Sequence, residues 1–314
     1  MEQETLASRI YTLIQDKKQF NIAELKDLIT DKPYTTIRGR VYDNLGKLFK
    51  RIDKGIYITI DDSETTVAMI HGDGRDLSNI RSGSIDAIIT DHPYEDPKSL
   101  NGGNRHFTDY ETFRYNQNDF NEKARVLKDG AFLVEFFAEE NANNYKYIYH
   151  CKEMAEKAGL KYYCVIPWKK GNFIANIGKK AKNTEQVILF TKGTPRRLRP
   201  DKQHGGYMAG TTEMLPTCFD EQPKNIKDKI HKAEKPVPLL EKIIHYVTKA
   251  GETILDTFAG SGNLGIAARN TKRFAILIEK AKDTFEKMVQ NITNCPKTLQ
   301  PQTVPNTETQ ISLF

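Results

Sequence analysis

The chain has 314 residues, of which 38% are hydrophobic and 28% are charged, which is enough for one large domain and a small one. No stretch approaches ~18 apolar residues and the N-terminus has no signal-peptide pattern, so we expect a soluble protein inside the cell. The four cysteines are scattered without a Cys-x-x-Cys pair, which argues against a metal site and a disulfide framework. The net charge of +6 is concentrated between Lys161 and Lys235, which predicts that a polyanion contacts this segment.

The first sixty residues predict a small unit of helices and a hairpin. Apolar residues recur at helical spacing from Leu6 to Ile14, and Asn21 caps a second helix. A third helix begins at Thr35 or Thr36, and Phe49 to Ile60 has the pattern of a hairpin. A polar linker follows, so we divide the chain into a small domain at 1–62, a large domain at 66–294 and a tail at 295–314.

This succession of helices and a hairpin resembles a winged helix, a fold whose third helix enters the major groove of DNA while the hairpin touches the backbone. The resemblance implies that basic residues of the third helix and the wing contact DNA, namely Arg38, Arg40, Lys47, Lys50 and Lys54. The alternative is a small helical domain that mediates dimerisation.

From Val67 onward strands alternate with helices, which predicts an α/β domain. The predicted strands are Val67–Ile70, Ile85–Thr90, Ala131–Phe137, Tyr162–Trp168, Gln186–Thr191, Thr253–Asp256 and Phe274–Glu279. The predicted helices are 119–127, 143–158 and 264–270, with a helical turn at 76–80. In two segments the apolar residues have neither helical nor strand periodicity. One is a polar stretch at 95–115, whose length is typical of lids and binding loops, and the other is a basic stretch at 194–230.

The tetrapeptide Asp91-His92-Pro93-Tyr94 directly follows a buried strand. In an open α/β sheet, ligands bind beyond the carboxyl ends of the strands. Pro93 holds His92 extended, so the His92 carbonyl can point out of the chain beside the Asp91 carboxylate. Two acceptors beneath an aromatic ring suit a flat ring that carries an exocyclic amino group. Taken alone, the same four residues are also compatible with an ordinary turn.

A second motif lies far downstream, where the strand at 253–256 runs into a glycine-rich turn and a helix. Glycines let the backbone approach a ligand closely, and Glu279, which ends the next strand, can accept hydrogen bonds from ribose hydroxyls. The same glycine spacing fits a dinucleotide site. That alternative fails on position, because about one helix follows Glu279 and the sheet must be completed by strands that come earlier in the chain.

The order Asp91-x-Pro93-Tyr94 and then Asp256-x-Phe258-x-Gly260-x-Gly262 resembles the permuted beta class of amino-group DNA methyltransferases, which use S-adenosylmethionine. The likeness covers about Val67 to Ile292 and includes Gly72-Asp73, Trp168-x-Lys170, Glu185 and Lys235-Pro236. It implies a Rossmann-like methyltransferase sheet with circularly permuted motif order, double-stranded DNA as substrate, and a target-recognition segment at 193–232.

The resemblance also implies a role for each motif residue. The catalytic residues would be Asp91, His92, Pro93 and Tyr94, with a flipped-out base stacked on Tyr94. S-adenosylmethionine would contact Asp73, Lys235, Pro236, Asp256, Phe258, Gly260, Gly262 and Glu279. In the middle segment, DNA would contact Lys170, Arg196, Arg197 and Arg199.

Asp91 at the first motif position favours the N6 amino group of adenine, since many cytosine-N4 enzymes of the family have serine there. None of the cysteines follows a proline, so methylation of cytosine C5, which needs a cysteine nucleophile, is excluded. His92 stands where the family usually has proline, and we expect its imidazole to fill space beside the pocket rather than to act as a general base. Cytosine-N4 methylation stays an alternative, as does a DNA-binding replication or regulatory factor with a weakened methyltransferase core.

The segment from Thr298 to Thr309 is rich in Pro, Gln, Thr and Asn and is predicted to be disordered. The last five residues resemble the peptide by which bacterial replication and repair proteins hold the DNA sliding clamp, and the contacting residues would be Gln310, Ile311, Leu313 and Phe314. We therefore expect a prokaryotic, cytoplasmic protein associated with the nucleoid. Whether the chain forms a homodimer stays open.

Overall fold

The structure is a computed structural model that describes residues 5–14, 17, 20–44, 49–53, 55–59, 67–94, 112–171, 183–223, 229 and 233–295. Its helices are α1 Leu6–Ile14, α2 Ile22–Leu28, α3 Tyr34–Asp43, α4 Gln117–Val126, α5 Tyr145–Lys157, α6 Val237–Val247, α7 Asn263–Asn270 and α8 Lys282–Asn294. Its strands are β1 Phe49–Asp53, β2 Ile56–Thr59, β3 Val67–His71, β4 Ile85–Thr90, β5 Leu127–Ala138, β6 Leu160–Lys169, β7 Thr184–Lys192, β8 Arg199–Pro200, β9 Tyr207–Met208, β10 Phe219–Asp220, β11 Thr253–Asp256 and β12 Phe274–Glu279. Within these ranges, no helix has the length and apolar character needed to cross a membrane.

The N-terminal unit contains α1, α2 and α3 and the antiparallel hairpin of β1 with β2. Asn21 caps α2 as predicted, because its side chain accepts the backbone N–H of Glu24. Helix α3 begins at Tyr34, directly after Pro33, which is slightly earlier than expected. Apolar side chains from each of these elements form one small core, which includes Ile10, Leu25, Ile37, Val41, Phe49 and Tyr57. Whether this unit acts as a winged helix stays a prediction, since Lys47, Lys54 and the linker lie outside the described residues.

The large domain is built on an eight-stranded sheet with the order β10-β6-β7-β5-β4-β11-β12-β3. All neighbours are parallel except β7, which runs antiparallel to both β5 and β6. Every residue of β4 is buried, as expected for a central strand covered on both faces. The predicted α/β fold class is confirmed.

Helices cover both faces of this sheet, and alternate residues of each strand point to opposite faces. Ile254 of β11 packs in the core on the side of α6, α7 and α8, whereas its neighbour Leu255 packs in the core on the side of α4 and α5. Full burial of one such side chain contributes roughly 1.5–3 kcal/mol, so the two apolar layers supply most of the stabilisation.

The last two strands that the structure describes lie inside the sheet and not at its edge. β11 and β12 stand between β4 and β3, and β11 pairs with β4 through Ile254 opposite Ala87 and Leu255 opposite Ile88. The chain therefore brings two strands that are distant in sequence side by side, with their carboxyl ends at the same edge. We call this the carboxyl edge and the opposite one the amino edge.

Three local predictions differ from the structure. Strand β5 begins at Leu127, four residues earlier than predicted, and residues 76–80 form turns instead of a helical turn. The basic stretch contains a small hairpin of β8 with β9 and the short strand β10. This stretch is divided between the two edges, because Arg196 N–H donates to the Gly130 carbonyl at the amino edge while β10 pairs with the carboxyl end of β6.

Gly262, in the glycine-rich turn, packs tightly against α8: its φ is +77°, and an added Cβ would lie 2.6 Å from Met288 Cγ and 2.8 Å from Ile292 Cδ1. Gly205 has a similar φ of +72° but nothing within 4 Å of an added Cβ. We predict that Gly205→Ala lowers the free energy of unfolding by about 1–2 kcal/mol, the cost of the left-handed backbone alone. Gly262→Ala should cost about 1–3 kcal/mol more through overpacking against α8. Urea unfolding of the two variants measures the difference, and equal losses would contradict the packing account.

Candidate active site

The two predicted motifs meet at the carboxyl edge. Thr90, the last residue of β4, donates its hydroxyl to Asp256 Oδ1 at 2.8 Å and lies 3.0 Å from the Thr257 hydroxyl. Asp256 Oδ1 also accepts the N–H of Phe258 at 3.0 Å, which shapes the first turn after β11. All these groups except Phe258 are buried, and burial raises the pKa of Asp256 to about 7. The Thr90 hydroxyl thus fixes the strand that carries Asp91 against the glycine-rich turn.

Glu279 completes the glycine-rich turn from the end of β12. Its Oε2 accepts the N–H of Gly260 at 2.9 Å and its Oε1 accepts the N–H of Ala281 at 2.9 Å. Burial raises the pKa of this carboxyl group. The two backbone donors fix the direction of the carboxylate, and each oxygen keeps capacity for a further donor.

Asp73 and Gly74 close the other side of this turn. A Cβ added to Gly74 would lie 1.6 Å from the Thr257 carbonyl oxygen, so the two loops touch backbone to backbone and only glycine fits. Asp73 Oδ1 accepts the N–H of Arg75 at 3.0 Å, and Oδ2 lies 3.3 Å from Lys280 Nζ. The structure therefore brings the predicted cofactor residues of β3, β11 and β12 to one place.

Lys235 links this place to Asp91. Its ammonium forms an ion pair with Asp91 Oδ2 and lies 3.2 Å from Glu185 Oε2, and Glu185 in turn pairs with Lys170. The Lys235 carbonyl accepts the side-chain amide of Asn263 at 2.8 Å, which ties the Lys-Pro turn to the start of α7. Four charges of alternating sign thus run along the carboxyl edge, from Asp91 to Lys170.

These charges set the protonation of Asp91. Burial raises the pKa of Asp91 to about 6, Glu185 adds to the rise, and the Lys235 ammonium opposes it. Burial alone would lower the pKa of Lys235, but Asp91 and Glu185 raise it above its ordinary value. At neutral pH the pair is therefore a carboxylate and an ammonium ion, and Asp91 is a hydrogen-bond acceptor.

His92 is enclosed by aromatic rings and only 1% exposed. Its ring centroid lies 4.1 Å from that of Tyr115 and 5.5 Å from that of Tyr94, and burial lowers the pKa of the imidazole, so the ring is neutral. Its carbonyl, predicted as a second acceptor for an amino group, already accepts the N–H of Tyr94 at 2.9 Å. One lone pair of that oxygen remains for another donor.

The predicted DNA-contacting residues fall into separate groups. Lys170 lies at the carboxyl edge, and Arg38 and Arg40 are exposed on α3, with Arg40 2.9 Å from Asp43. Lys47 and Lys54, the side chain of Lys50, and the tail residues Gln310, Ile311, Leu313 and Phe314 lie outside the described part of the chain.

Arg196, Arg197 and Arg199 are not brought to the carboxyl edge. Arg196 lies at the amino edge, where its guanidinium group pairs with Glu252 at 2.6 Å and with Asp86 at 3.2 Å. Asp86 is in β4 and Glu252 directly precedes β11, so the arginine fastens the starts of these two strands. Arg197 and Arg199 follow it along the same stretch, where Arg197 is exposed and the Arg199 guanidinium group donates to the Glu213 carbonyl at 3.1 Å.

Sequence reasoning did not reveal the contacts of one site residue and did not identify another. Glu185 was noted as a motif match, but its position between Lys235 and Lys170 became apparent only from the pairing of β7 with β6. Glu135 of β5, fully buried beneath His92, was not singled out, because the run from Ala131 to Phe137 was interpreted only as an apolar strand. A charged residue inside an apolar run is the pattern that was available to find it.

Comparison with known proteins identifies the family. A family profile described as DNA methylase (N6_N4_Mtase) matches residues 85–290. The chain belongs to this family. It is a DNA methyltransferase of the N6/N4 type that uses S-adenosylmethionine, on a Rossmann-like sheet with the permuted motif order.

One relative is the type II methyltransferase M.HpaI of Haemophilus parainfluenzae, 28% identical over 222 residues that cover 67% of this chain and 68% of the relative. Among solved structures, that of M1.HpyAVI with S-adenosylmethionine is 21% identical, has a TM-score of 0.53 and covers 72% of this chain and 99% of the other. PvuII DNA methyltransferase, described as cytosine-N4-specific, is 14% identical and has a TM-score of 0.52. The match covers 76% of this chain and 88% of the PvuII enzyme. The structural likenesses show a shared fold.

The residues at the carboxyl edge fit this cofactor. The Glu279 carboxylate, oriented by two backbone N–H groups, has free acceptor capacity for ribose hydroxyls. Asp73 is held beside it by the contact of Gly74 with Thr257, which positions a further acceptor at the same turn. The side chains of Glu279 and Asp73 are both carboxyl groups, and carboxylates accept hydrogen bonds from the hydroxyl and amino donors that this cofactor carries.

The Asp91–Lys235 pair predicts a pH dependence of methyl transfer. Asp91 must be ionised to accept a hydrogen bond, so kcat/KM should fall as the pH falls through about 6. Lys235→Met removes the cation that holds the pKa of Asp91 down, so the acidic limb of kcat/KM should move to higher pH. Activity at pH 7 should then fall about tenfold or more. Lys242→Met, which breaks an exposed ion pair with Glu221, serves as the matched control. An unchanged acidic limb in Lys235→Met would show that the ion pair does not set the protonation of Asp91.

Proposed function

We propose that the protein methylates the N6 amino group of an adenine flipped out of double-stranded DNA. The observation that carries this proposal is the Asp91 carboxylate at the carboxyl edge, paired through Oδ2 with Lys235 and adjacent to the glycine-rich turn. Within the described residues no hydrogen bond occupies Asp91 Oδ1, so this oxygen can accept an N–H of the substrate. S-adenosylmethionine supplies an electrophilic methyl group on a sulfonium ion.

The residues of the tetrapeptide then have distinct tasks. Tyr94 stacks on the flipped base, which offsets part of the few kcal/mol that flipping costs. Asp91 Oδ1 and the remaining lone pair of the His92 carbonyl accept the two amino hydrogens. This arrangement favours a pyramidal nitrogen whose lone pair points at the methyl group, and it stabilises the positive charge that develops on nitrogen.

The choice of adenine rests on Asp91. A carboxylate is a stronger acceptor for an amino group than the serine hydroxyl found at this position in many cytosine-N4 enzymes. The fold does not discriminate, because the cytosine-N4-specific PvuII enzyme has a similar one. Cytosine-N4 methylation is therefore the runner-up, and a DNA-binding factor without activity is the alternative outside the enzyme class.

Methyl transfer to unmethylated genomic DNA, followed by digestion and identification of the methylated nucleoside, tests the proposal. We expect N6-methyldeoxyadenosine, formed with tritiated S-adenosylmethionine by the full-length protein. Asp91→Ala should lower the rate by about a hundredfold or more while the cofactor still binds. N4-methyldeoxycytidine would establish the runner-up. If the wild-type protein transferred no more methyl groups than Asp91→Ala, the DNA-binding factor without activity would be the supported alternative.

For DNA binding, we propose that the N-terminal unit adds phosphate contacts through Arg38 and Arg40 of α3, together with Lys47, Lys50 and Lys54, while Lys170 contacts DNA at the carboxyl edge. Each phosphate contact contributes about 0.9 to the slope of log K against log salt concentration. Replacing Arg38 and Arg40 together with Gln should therefore reduce that slope by about two. Arg9→Gln on α1, which breaks a similarly exposed ion pair with Asp31, is the control. An unchanged slope would favour a dimerisation role for this unit.

For the tail, we propose that Gln310, Ile311, Leu313 and Phe314 hold a DNA sliding clamp and so couple methylation to replication in a prokaryotic nucleoid. A tether of this kind acts by raising the effective concentration of the enzyme on DNA, even when the peptide alone binds weakly. Replacing Leu313 and Phe314 together with Ala should abolish binding to purified clamp and leave methylation of short duplexes unchanged. Full-length protein that fails to bind clamp where a known clamp peptide binds would refute this proposal.

A further inference from the structure

A buried polar network lies directly beneath the catalytic tetrapeptide. The His92 Nε2 atom lies 2.9 Å from the hydroxyl of Tyr147 on α5, and His92 Nδ1 lies 3.7 Å from Glu135 Oε2 on β5. Glu135 also pairs with Lys123 of α4 and accepts the Tyr115 hydroxyl at 3.1 Å. His92, Lys123 and Glu135 are all at most 2% exposed. The Nδ1–Glu135 separation is longer than a hydrogen bond, so Nδ1 is buried without a hydrogen-bond partner among the described residues and faces the Glu135 carboxylate.

The network selects one tautomer of His92. Burial works against ionisation of Glu135, but the Lys123 ammonium and His92 hold its pKa below the ordinary value, so Glu135 is a carboxylate. A bare Nδ1 lone pair facing this carboxylate would be repelled, whereas an Nδ1–H group is attracted to it. The proton therefore resides on Nδ1, and Nε2 accepts a hydrogen bond from the Tyr147 hydroxyl. The same hydroxyl accepts the N–H of Tyr115 at 3.1 Å, so its two roles are compatible.

We propose that His92 is a positioning residue, whose neutral imidazole accepts a hydrogen bond from Tyr147 of α5 at Nε2 and directs its Nδ1–H toward the Glu135 carboxylate of β5. A proline at this position would fix its own φ and limit the backbone directly. Histidine leaves the backbone free, and the hydrogen bond to Tyr147 together with the electrostatic contact to Glu135 replaces that restriction. The inference rests on the proposed function, because it assigns the tether the task of holding the His92 carbonyl and Asp91 in line with the amino group.

The consequence for catalysis follows from geometry. The His92 carbonyl already accepts the Tyr94 N–H, so a rotation of the peptide between His92 and Pro93 would move its remaining lone pair and the stacking ring together. A misplacement of about 1 Å can cost about a hundredfold in rate. Cofactor binding depends on the glycine-rich turn and Glu279, which the tether does not touch directly, so it should change little.

The tautomer provides a test that does not need activity. Histidine-selective ¹⁵N NMR of the full-length protein at pH 6 to 8, with the His92 signals assigned by loss in His92→Ala, should show a protonated Nδ1 and an unprotonated Nε2 that do not titrate. Tyr147→Phe should shift the Nε2 resonance, while Tyr149→Phe should not. Tyr149 is two residues along α5 and 62% exposed, so it is a matched control. A protonated Nε2, or titration within this range, would overturn the proposal.

Kinetics test the positioning role. His92→Ala should lower kcat at least tenfold, equivalent to about 1.4 kcal/mol, with the dissociation constant for S-adenosylmethionine within twofold of wild type. His92→Pro also lacks the imidazole but limits the backbone conformation. Its kcat should therefore be at least threefold higher than that of His92→Ala. Tyr147→Phe should lower kcat in the native background and add no loss in the His92→Pro background.

Each remaining outcome has a defined meaning. If His92→Ala retained the wild-type kcat, the positioning role would be overturned. If His92→Ala and His92→Pro lost kcat equally while still binding the cofactor, the positioning role would also be overturned, and the imidazole would instead take part in the chemical step. Wild-type protein without methyl transfer would refute the proposed function, and the NMR result would then decide the tether by itself.

Discussion

The parallel pairing of β4 with β11 is the constraint on which the site depends. These strands are separated by more than half of the chain, yet their register places Thr90 beside Asp256 and Thr257, where the threonine hydroxyl makes a buried hydrogen bond. A bond of this kind is costly to leave unmade in the interior, so it specifies the register as well as stabilising it. Because both strands end there, the tetrapeptide and the glycine-rich turn face the same space. At the other end, Arg196 bridges Asp86 and Glu252 and holds the same two strands.

Buried charge is unusually dense around the tetrapeptide, with one network on each side. Asp91, Lys235, Glu185 and Lys170 form one, and His92, Glu135 and Lys123 form the other. Removing charges from water costs several kcal/mol per ion, which the mutual attraction within each network must offset. Such networks contribute less to stability than an apolar core of equal volume. Their arrangement here instead fixes protonation states and the orientation of a few atoms.

The helices and strands were predicted well from the sequence, whereas the interactions between them were predicted poorly. β4 and β11 were found from apolar runs, and α2 from the Asn21 cap, because these signals are local. The grouping of Asp73, Lys235 and Glu279 followed from motif order and a family resemblance.

The contacts of Glu135 with His92 and of Arg196 with Asp86 and Glu252 were out of reach, because in each case the partner is more than forty residues away in the sequence. The basic stretch shows the same limit, since charge composition does not reveal which edge of a sheet a residue reaches. The pairing of Lys235 with Asp91 depends in the same way on contact between segments that no local pattern connects.

The position of β11 and β12 in the middle of the sheet has a consequence for biosynthesis. β3 pairs with β12, and β4 pairs with β11 on one side and β5 on the other. Until residues 253–279 have been synthesised, β3 lacks β12, its one neighbour in the sheet, and one side of β4 has no partner strand. Open strand edges are prone to association with other chains. The strands of the cofactor half are thus made after β3, β4 and β5 and join β3 to β4, so assembly of the sheet and assembly of the site depend on the same segment.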